Sequence, residues 1–313
     1  MIKFSVVMPL YNKEKYISNT IKSVLSQTYK NFELIIVDDG STDNSFTIAK
    51  SFQDKRITIY KRDNAGASVA RNFGISKASG EFIAFIDGDD IWYNDFLETI
   101  MKMIYKYPDL KVFGTNIGLK NYNAKDKHYI NTSTTEESIV IKDYFYQKIK
   151  DDIYLTASSA VVKKEVFNDV GCFQEGLKNW EDLDMWARIA LKYDIGFSKR
   201  ICSVYQQQIE HSASSYNGII NSDFFDNPEK YISKYEIKGE KLYYMREYIA
   251  MWKISYSRMR HSATNNKKES LRLLKKYKYT ELFKKEFYSA YIYIYTPLFI
   301  RKLFKKIKKC IST

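Results

Sequence analysis

The chain has 313 residues, of which 45% are hydrophobic and 28% are charged, and its formal net charge is +13. This composition excludes a disordered chain, and the length suits one large α/β domain with an appendage, or two domains. The three cysteines are scattered and without metal spacing, which excludes a disulfide framework and fits a reducing cytosol.

Strands and helices are predicted to alternate over the first hundred residues. Apolar, β-branched runs predict four buried strands, and apolar residues at helical spacing predict three helices between them. The predicted strands are KFSVVMPL, FELIIVDD, ITIYKR and EFIAFID, and the predicted helices are Lys15 to Gln27, STDNSFTIAKSF and GASVARNFGISKAS. Ser41 or Thr42 is the expected N-cap of the second helix. This alternation predicts a mostly parallel sheet covered on both faces.

The rest of the chain divides into a less regular middle and a helical end. Residues 108 to 156 contain the polar stretch LKNYNAKDKHYINTSTTEES, which we expect to be a loop or lid. YLTASSAVVKKEVF then predicts a strand and a short helix, and NWEDLDMWARIALKY predicts an amphipathic helix. From about residue 221 the chain reads as helices rich in Tyr and Lys, although YIYIY is ambiguous between strand and helix. We therefore predict two domains, residues 1–220 and 221–313.

Carboxylates follow two of the predicted strands. They are Asp38, Asp39, Asp87, Asp89 and Asp90. Because open parallel sheets bind ligands beyond the carboxyl ends of their strands, we expect these groups to meet at one crevice. Two carboxylates two positions apart, as in Asp87-Gly88-Asp89, suit Mg²⁺ or Mn²⁺. The alternative is that these acids only cap turns and the helix that follows.

Further charged residues are candidates for the same crevice. Arg71 in NAGASVARNFG is expected to point back and neutralise a phosphate or the acidic pair, unless it is a plain surface arginine. No GxGxxG and no GxxxxGK[ST] is present, which disfavours a dinucleotide fold and a P-loop. Glu181 and Asp182 open the predicted helix in NWEDLDMWARIA, where an ionised carboxylate is a candidate general base or a simple cap. Asp184 and Arg188 have the spacing of a helix-face ion pair.

Several of these motifs occur together in an order that is typical of one family. SVVMPLYNKEKYISNTIKSVLSQTYKNFELIIVDDGSTDNS, NAGASVARNFGISKASGEFIAFIDGDD and WEDLDMWARIA resemble the family 2 glycosyltransferases over roughly residues 3 to 215. The resemblance implies a GT-A fold, which is Rossmann-like with a mostly parallel sheet flanked by helices, here followed by a mainly helical basic extension. It also implies inverting transfer of a hexosyl or N-acetylhexosaminyl group from a nucleotide-diphosphate sugar.

The resemblance also implies a role for individual residues in binding the donor, for which UDP is the expected nucleotide. Pro9 and Tyr11 would line the base pocket, and Asp39 would read the uracil. Arg71 would lie beside the nucleotide, and Asp87 would face the ribose.

By the same resemblance, Asp89 of the DXD motif binds Mn²⁺ or Mg²⁺, His211 lies near the diphosphate or the metal, and Asp182 is the general base. The chain departs from the family pattern at VYQQQIEH, where Gln206 to Gln208 stand in place of an arginine. Either one positive charge directed at the diphosphate is missing here, or it is supplied by the lid, by Lys199 or by Arg200.

The basic charge is concentrated at the C-terminal end. From Lys238 onward there are 20 Lys and Arg against 5 Asp and Glu, so the remaining residues are slightly acidic. As a helix, FIRKLFKKIKKCIST would carry an apolar stripe flanked by cations, which favours an anionic membrane surface over nucleic acid or plain solvent. The tyrosines just upstream suit a membrane interface as well.

The resulting hypothesis is a metal-dependent glycosyltransferase, peripheral on the cytoplasmic face of a bacterial inner membrane. It would extend a lipid-linked glycan such as an O-antigen, capsule or lipooligosaccharide, and no nucleic acid is expected as a partner. A sugar nucleotidyltransferase would need a basic, glycine-rich loop after the first strand, and PLYNKEKY has none. A non-catalytic glycan- or nucleic-acid-binding protein is the remaining alternative.

Overall fold

The computed structural model describes residues 1–121, 137–150, 153, 155–207, 221–298, 300 and 301. This part of the chain forms two compact units, one from the residues up to Pro228 and the other from Glu229 onward. The predicted boundary between residues 220 and 221 remains a prediction. His211, most of the polar stretch in the middle and the basic tail from Lys302 onward lie outside the described residues.

A nine-stranded sheet forms the centre of the first unit. Its strands are β1 (Phe4–Leu10), β2 (Phe32–Asp39), β3 (Ile57–Arg62), β4 (Phe82–Phe85), β5 (Ile91–Trp92), β6 (Val112–Asn121), β7 (Ser138–Ile141), β8 (Ala160–Lys163) and β9 (Ile195–Gln207). The strand order is β3-β2-β1-β4-β8-β6-β9-β5, and β7 pairs with β9. The first four are parallel, as are β6 and β9, whereas the remaining pairs are antiparallel. The predicted α/β class with a mostly parallel sheet is confirmed.

Helices flank this sheet in the first unit and build the second unit. They are α1 (Ile17–Leu25), α2 (Ser45–Lys50), α3 (Ala67–Lys77), α4 (Phe96–Lys106), α5 (Tyr144–Lys150), α6 (Val166–Val170), α7 (Glu181–Ala190), α8 (Asp223–Asp226), α9 (Pro228–Lys234), α10 (Gly239–Thr264), α11 (Lys267–Lys275) and α12 (Lys284–Tyr295). In the described part of the chain, no helix combines the length and the apolar character that crossing a bilayer requires.

The core of the first unit follows from the apolar pattern of its elements. On α1, Ile17, Ile21 and Val24 share one face at helical spacing, and all three are fully buried. They pack with strand residues of β1, β2 and β4 in one hydrophobic cluster. Burying each such side chain contributes roughly 1.5–3 kcal/mol, which fixes the helices on the sheet and so fixes the loops between them.

Four strands, β5, β6, β7 and β9, and one helix start differ from the sequence-based expectation. The strands β6 and β9 were not predicted, because their polar residues and glycines hide the strand period and their mutual pairing stabilises them. Helix α2 begins at Ser45, not after a cap at Ser41 or Thr42. Those two residues instead join loops, since Ser41 Oγ accepts the Asn12 N–H and Thr42 N–H donates to Asn12 Oδ1. The ambiguous YIYIY segment is part of α12.

Candidate active site

Three adjacent parallel strands end at the edge of the sheet where the predicted site residues lie. In the register of β1 and β2, Pro9 lies opposite Val37, and Asp87 follows β4, which pairs with the other side of β1. Pro9 is half-buried, while Tyr11 just beyond the strand is 40% exposed. The strand order therefore brings Pro9, Tyr11, Asp39 and Asp87 to one edge of the sheet.

The loops after β1 and β2 are fastened to each other. Lys13 N–H donates to Ser45 Oγ at 2.7 Å, and Glu14 N–H donates to Asp43 Oδ2 at 3.1 Å. The Glu14 carboxylate in turn accepts the backbone N–H of Asn44 at 3.1 Å. These reciprocal bonds satisfy polar groups at the start of α2 and fix the position of Lys13 at the mouth of the crevice.

Asp39 holds the loop that leads into α3. Its carboxylate accepts the N–H of Ala65 at 3.1 Å and the N–H of Gly66 at 2.7 Å, and the residue is only 2% exposed. Gly40 has φ +75° and passes close to this loop, where a Cβ would lie 2.9 Å from the Asn64 nitrogen. A side chain at Gly40 would therefore push the loop away. The expected recognition of uracil by Asp39 stays a prediction.

The acidic turn after β4, residues 87–90, has two cationic partners within the chain. Arg71 Nη2 lies 2.5 Å from Asp87 Oδ1, and Lys13 Nζ lies 2.6 Å from Asp89 Oδ2. Burial raises the pKa of Asp89, Lys13 opposes that rise, and Asp87 adds to it. The two cations explain how carboxylates can cluster at the end of a buried strand. Lys13 was missed at the sequence level, because nothing in the loop pattern indicates its direction.

Asp90, the third acid of the turn, is buried and fixes the turn to the rest of the sheet. Ser158 Oγ donates to Asp90 Oδ2 at 2.5 Å and accepts the Asp87 N–H at 3.0 Å. Gln206 donates its backbone N–H to Asp90 Oδ1 at 3.1 Å and its side-chain amide to the Asp89 carbonyl. Burial and the neighbouring acids raise the pKa of Asp90 well above its usual value. We call Asp90, Ser158 and Gln206 the turn clamp.

Arg71 connects the acidic turn to helix α7. Besides Asp87, its guanidinium donates to Glu181 Oε1 at 2.9 Å, and it lies 5.4 Å from the ring centroid of Phe173. The side chain is 3% exposed. Arg71 therefore does neutralise an acid at the crevice, as predicted, but it is a buried bridge between Asp87 and Glu181. Its predicted place beside the nucleotide stays a prediction.

Asp182 follows Glu181 in the first turn of α7. The residue before the pair, Trp180, has a left-handed backbone with φ 69°, a conformation that is strained for a non-glycine residue. Within the described residues, the half-buried Asp182 carboxylate accepts only the N–H of Leu183, at 2.7 Å. Burial, Glu181 and Asp87 raise the pKa of Asp182 to about 7, against the opposing charge of Arg71.

Other charged residues singled out in the sequence are structural here. Arg188 Nε donates to Asp184 Oδ2 at 2.7 Å, which confirms the predicted pair, although both side chains are buried and not on the surface. Lys199, a candidate for the missing positive charge, pairs with Glu137 at 2.9 Å. Arg200 pairs with Asp95. At the acidic turn itself the cations are Lys13 and Arg71, and the predicted role of Lys199 or Arg200 stays a prediction.

The acidic turn offers few side-chain ligands of its own for a divalent cation. Among the described residues no group of three or more His, Cys, Asp and Glu side chains is arranged to hold a metal. Asp89 offers hard carboxylate oxygens at a position that already attracts the Lys13 ammonium. Mg²⁺ is commonly held by one or two carboxylates with substrate phosphates and water, so this donor set fits a metal that arrives with a diphosphate.

This sheet, with carboxylates beyond the ends of adjacent parallel strands, defines an α/β protein of the kind that binds its ligand at that edge. Residues 5–171, more than half of the chain, match the profile of glycosyl transferase family 2. The chain belongs to this family.

Curated relatives agree with this assignment. The chain is 35% identical over 178 residues to the glycosyltransferase GlyG of Streptococcus pneumoniae, covering 53% of this chain and 58% of GlyG. It is 31% identical over 207 residues to GlyA of the same organism, covering 62% of this chain but only 26% of GlyA. The match to an Escherichia coli enzyme, UDP-Glc:alpha-D-GlcNAc-diphosphoundecaprenol beta-1,3-glucosyltransferase WfgD, is 31% over 259 residues and covers 79% of this chain and 92% of WfgD.

Solved structures share the fold. A crystal structure of S. aureus TarS 1-349 in complex with UDP-GlcNAc superposes with a TM-score of 0.63 at 22% sequence identity, covering 92% of this chain and 79% of that chain. The likeness confirms the predicted GT-A type of fold.

Proposed function

We propose that this protein is an inverting glycosyltransferase that moves a hexosyl or N-acetylhexosaminyl group from a UDP-sugar to a hydroxyl of a lipid-linked glycan. The observation that carries the proposal is the Arg71 bridge. It joins Asp87, at the edge where the donor is expected, to the start of α7, where no cation of the described residues is hydrogen-bonded to Asp182. This bridge supports a donor site and a base that lie close together.

The proposed reaction needs a base and a stabilised leaving group. The acceptor hydroxyl attacks the anomeric carbon and a new C–O bond forms, while the bond from that carbon to the diphosphate oxygen breaks. Asp182 takes the hydroxyl proton, and the electron pair of the broken bond leaves with the nucleoside diphosphate. A pKa of about 7 lets Asp182 be ionised yet basic near neutral pH.

The chain offers positive charge for the leaving diphosphate. Asp89 would hold Mg²⁺ or Mn²⁺, which when bound supplies charge that stabilises the departing phosphate oxygens. Lys13, at 2.6 Å from Asp89, is fixed at the same place by its own backbone bond to Ser45. Pro9 and Tyr11 would contact the base, and His211 the diphosphate or the metal.

The relatives support the choice of donor and acceptor. The name of WfgD states a UDP-sugar donor and a diphosphoundecaprenol-linked acceptor, and one TarS structure holds UDP-GlcNAc. A lipid-linked acceptor implies work at a membrane, for which we propose the cytoplasmic face of a bacterial cell membrane, in the synthesis of a surface glycan.

Donor hydrolysis tests the proposed function. The full chain would be incubated with a panel of sugar nucleotides and Mn²⁺ or Mg²⁺, and release of nucleoside diphosphate would be measured. We expect slow UDP release from at least one UDP-sugar, which chelation of the metal stops. No release from any sugar nucleotide with either metal would refute the proposal, and pyrophosphate formed from UTP and a sugar 1-phosphate would replace it by nucleotidyl transfer.

A further inference from the structure

The second unit exposes large apolar side chains along one short stretch. Eleven large hydrophobic side chains are exposed in the described part of the chain, and six of them lie within residues 279–298. These are Tyr279 (50%), Leu282 (38%), Tyr288 (59%), Ile292 (65%), Tyr295 (46%) and Leu298 (45%). Single exposed hydrophobic residues are ordinary, whereas a cluster of them marks an interaction surface.

Helix α12 turns three of these residues to one side. Phe287, Ala290 and Ile294 are buried in the core of the second unit. Tyr288, Ile292 and Tyr295 follow at i, i+4 and i+7 and form a separate exposed stripe, which we call the α12 face. Tyr293, in the same segment, is not part of this stripe. Its ring is covered by the guanidinium groups of Arg258 and Arg301, at 4.7 and 5.0 Å from the ring centroid.

Lysines flank the α12 face at both ends. Lys284 is exposed one helical turn before Tyr288, and Lys267 Nζ lies 3.7 Å from the ring centroid of Tyr295. Residues 267–286 contain eight Lys and Arg, all exposed, against three Glu. The stretch therefore combines amphipathic aromatic rings, a branched aliphatic side chain and a strong positive charge.

We propose that the α12 face docks on an anionic lipid bilayer. Tyrosine rings are stable at a membrane interface because the ring is apolar and the hydroxyl stays in water. Ile292 enters the acyl boundary, and the flanking lysines contact anionic headgroups. A nucleic acid would match the lysines, but its phosphate backbone gives exposed Ile and Leu side chains no apolar partner.

This proposal deepens the proposed function, since docking would bring the enzyme to a lipid-linked acceptor. It also assigns membrane contact to a helix face that folds with the second unit, in addition to the basic tail predicted from the sequence. A bilayer contact of this kind depends on apolar area as well as on charge.

Vesicle sedimentation with the full chain tests the proposal. Vesicles of phosphatidylcholine with phosphatidylglycerol should retain the wild-type protein, and phosphatidylcholine alone should retain much less. We expect Ile292→Asp to lower the partition coefficient about tenfold, because a carboxylate would face the anionic surface. The matched control is Tyr105→Asp on α4, since Tyr105 is also 65% exposed. This control should bind like the wild type.

Circular dichroism of each variant checks the helices, and Tyr288→Ser serves as a milder second variant on the same face. Wild-type partitioning of both face variants would overturn the proposal. Equal binding to neutral vesicles, or retention on double-stranded DNA that Ile292→Asp abolishes, would overturn it as well. Donor hydrolysis without vesicles is measured in parallel and should be unchanged in Ile292→Asp, so a failure of the catalytic proposal is recognised separately.

Discussion

Two neighbouring carboxylates at the start of α7 have different surroundings. Glu181 accepts a hydrogen bond from Arg71 at 2.9 Å, whereas the Asp182 carboxylate bonds only the Leu183 amide within the described chain. Pairs of acids whose environments differ in this way are typical of sites that divide structural and catalytic roles. Because Arg71 already binds Glu181, Asp182 is the better candidate for the base of the two acids.

The first prediction concerns the pH dependence of transfer. Burial raises the pKa of Asp182 to about 7, and only the carboxylate form can accept a proton. We therefore expect kcat/KM to rise with pH below 7 and to level off above it. Asp182→Asn should lower transfer about 10²–10⁴-fold, while donor binding, measured by calorimetry, stays near that of the wild type.

Stability provides an independent check on Asp182. A raised carboxyl pKa in the folded state means that folding favours the neutral form of Asp182. The stability that this group contributes is therefore lost as pH rises from about 4 towards 7. Asp182→Asn, which is neutral throughout, should unfold at a higher temperature than the wild type at pH 8. The exposed Asp109→Asn is the control. Loss of donor binding in Asp182→Asn would make this residue structural.

The second prediction concerns the turn clamp. Gln206 donates two hydrogen bonds to the acidic turn, one from its backbone to Asp90 and one from its side chain to the Asp89 carbonyl. Gln206→Ala removes only the side-chain bond, and one such bond is worth about 0.5–1.5 kcal/mol. We expect the donor KM and the metal concentration for half-maximal hydrolysis to rise several-fold, with kcat changed less.

The control for the turn clamp lies on the same strand. Lys199→Ala removes an exposed side chain of β9 that pairs with Glu137. It should leave both constants unchanged. A lower melting temperature for Gln206→Ala with an unchanged KM and metal requirement would limit Gln206 to a structural role.

At the element scale, the packing of α3 on β1 depends on one missing side chain. A Cβ on Gly74 would lie 2.4 Å from Val7 Cγ1, far inside contact distance. At Gly74 the missing side chain therefore serves helix–sheet packing. This packing sets the position of α3 and therefore of Arg71, which lies one turn earlier.

The third prediction follows from that contact. In an open helix position Gly→Ala would stabilise by up to about 1 kcal/mol. In α3 we expect Gly74→Ala to destabilise by about 1–3 kcal/mol, because Val7 is fully buried and cannot move aside. Denaturant unfolding measures the difference. Ser76→Ala, exposed on the same helix, is the control, and a Gly74→Ala variant as stable as the wild type would contradict the packing argument.

At the scale of the whole molecule, the described residues include one hydrophobic cluster in the first unit and another in the second. Every described candidate for donor binding, metal binding or catalysis belongs to the first unit, while the α12 face belongs to the second. The proposed chemistry and the proposed membrane contact thus involve different units, and we expect each to respond to substitutions in its own core.

The fourth prediction uses this separation. Leu274 is fully buried in the core of the second unit, and Leu274→Ala should destabilise that unit by about 2–5 kcal/mol. Hydrogen exchange should accelerate in α10, α11 and α12, while donor hydrolysis stays at the wild-type rate. Ile36→Ala, in the first core, should give the reverse pattern. Equal loss of hydrolysis in both variants would contradict independent cores.

The family, the first four strands and the acids that follow two of them could be predicted from the sequence. These features are local patterns, which can be recognised in the sequence without the structure. They are apolar runs of strand length, helical spacing between the runs, and Asp residues at the turns. The helix beginning at Glu181 and the ion pair of Asp184 with Arg188 followed from spacing alone.

Only the tertiary structure decided which charges meet. Lys13 and Asp89 are 76 positions apart in the chain, and Arg71 and Glu181 are 110 apart. Their contacts depend on strand order and on close packing such as that at Gly74, which no periodicity encodes. The strands β6 and β9 also depend on long-range contacts, because their mutual pairing stabilises them more than their own residues do. The sequence thus determined which groups are available, and long-range packing determined their partners.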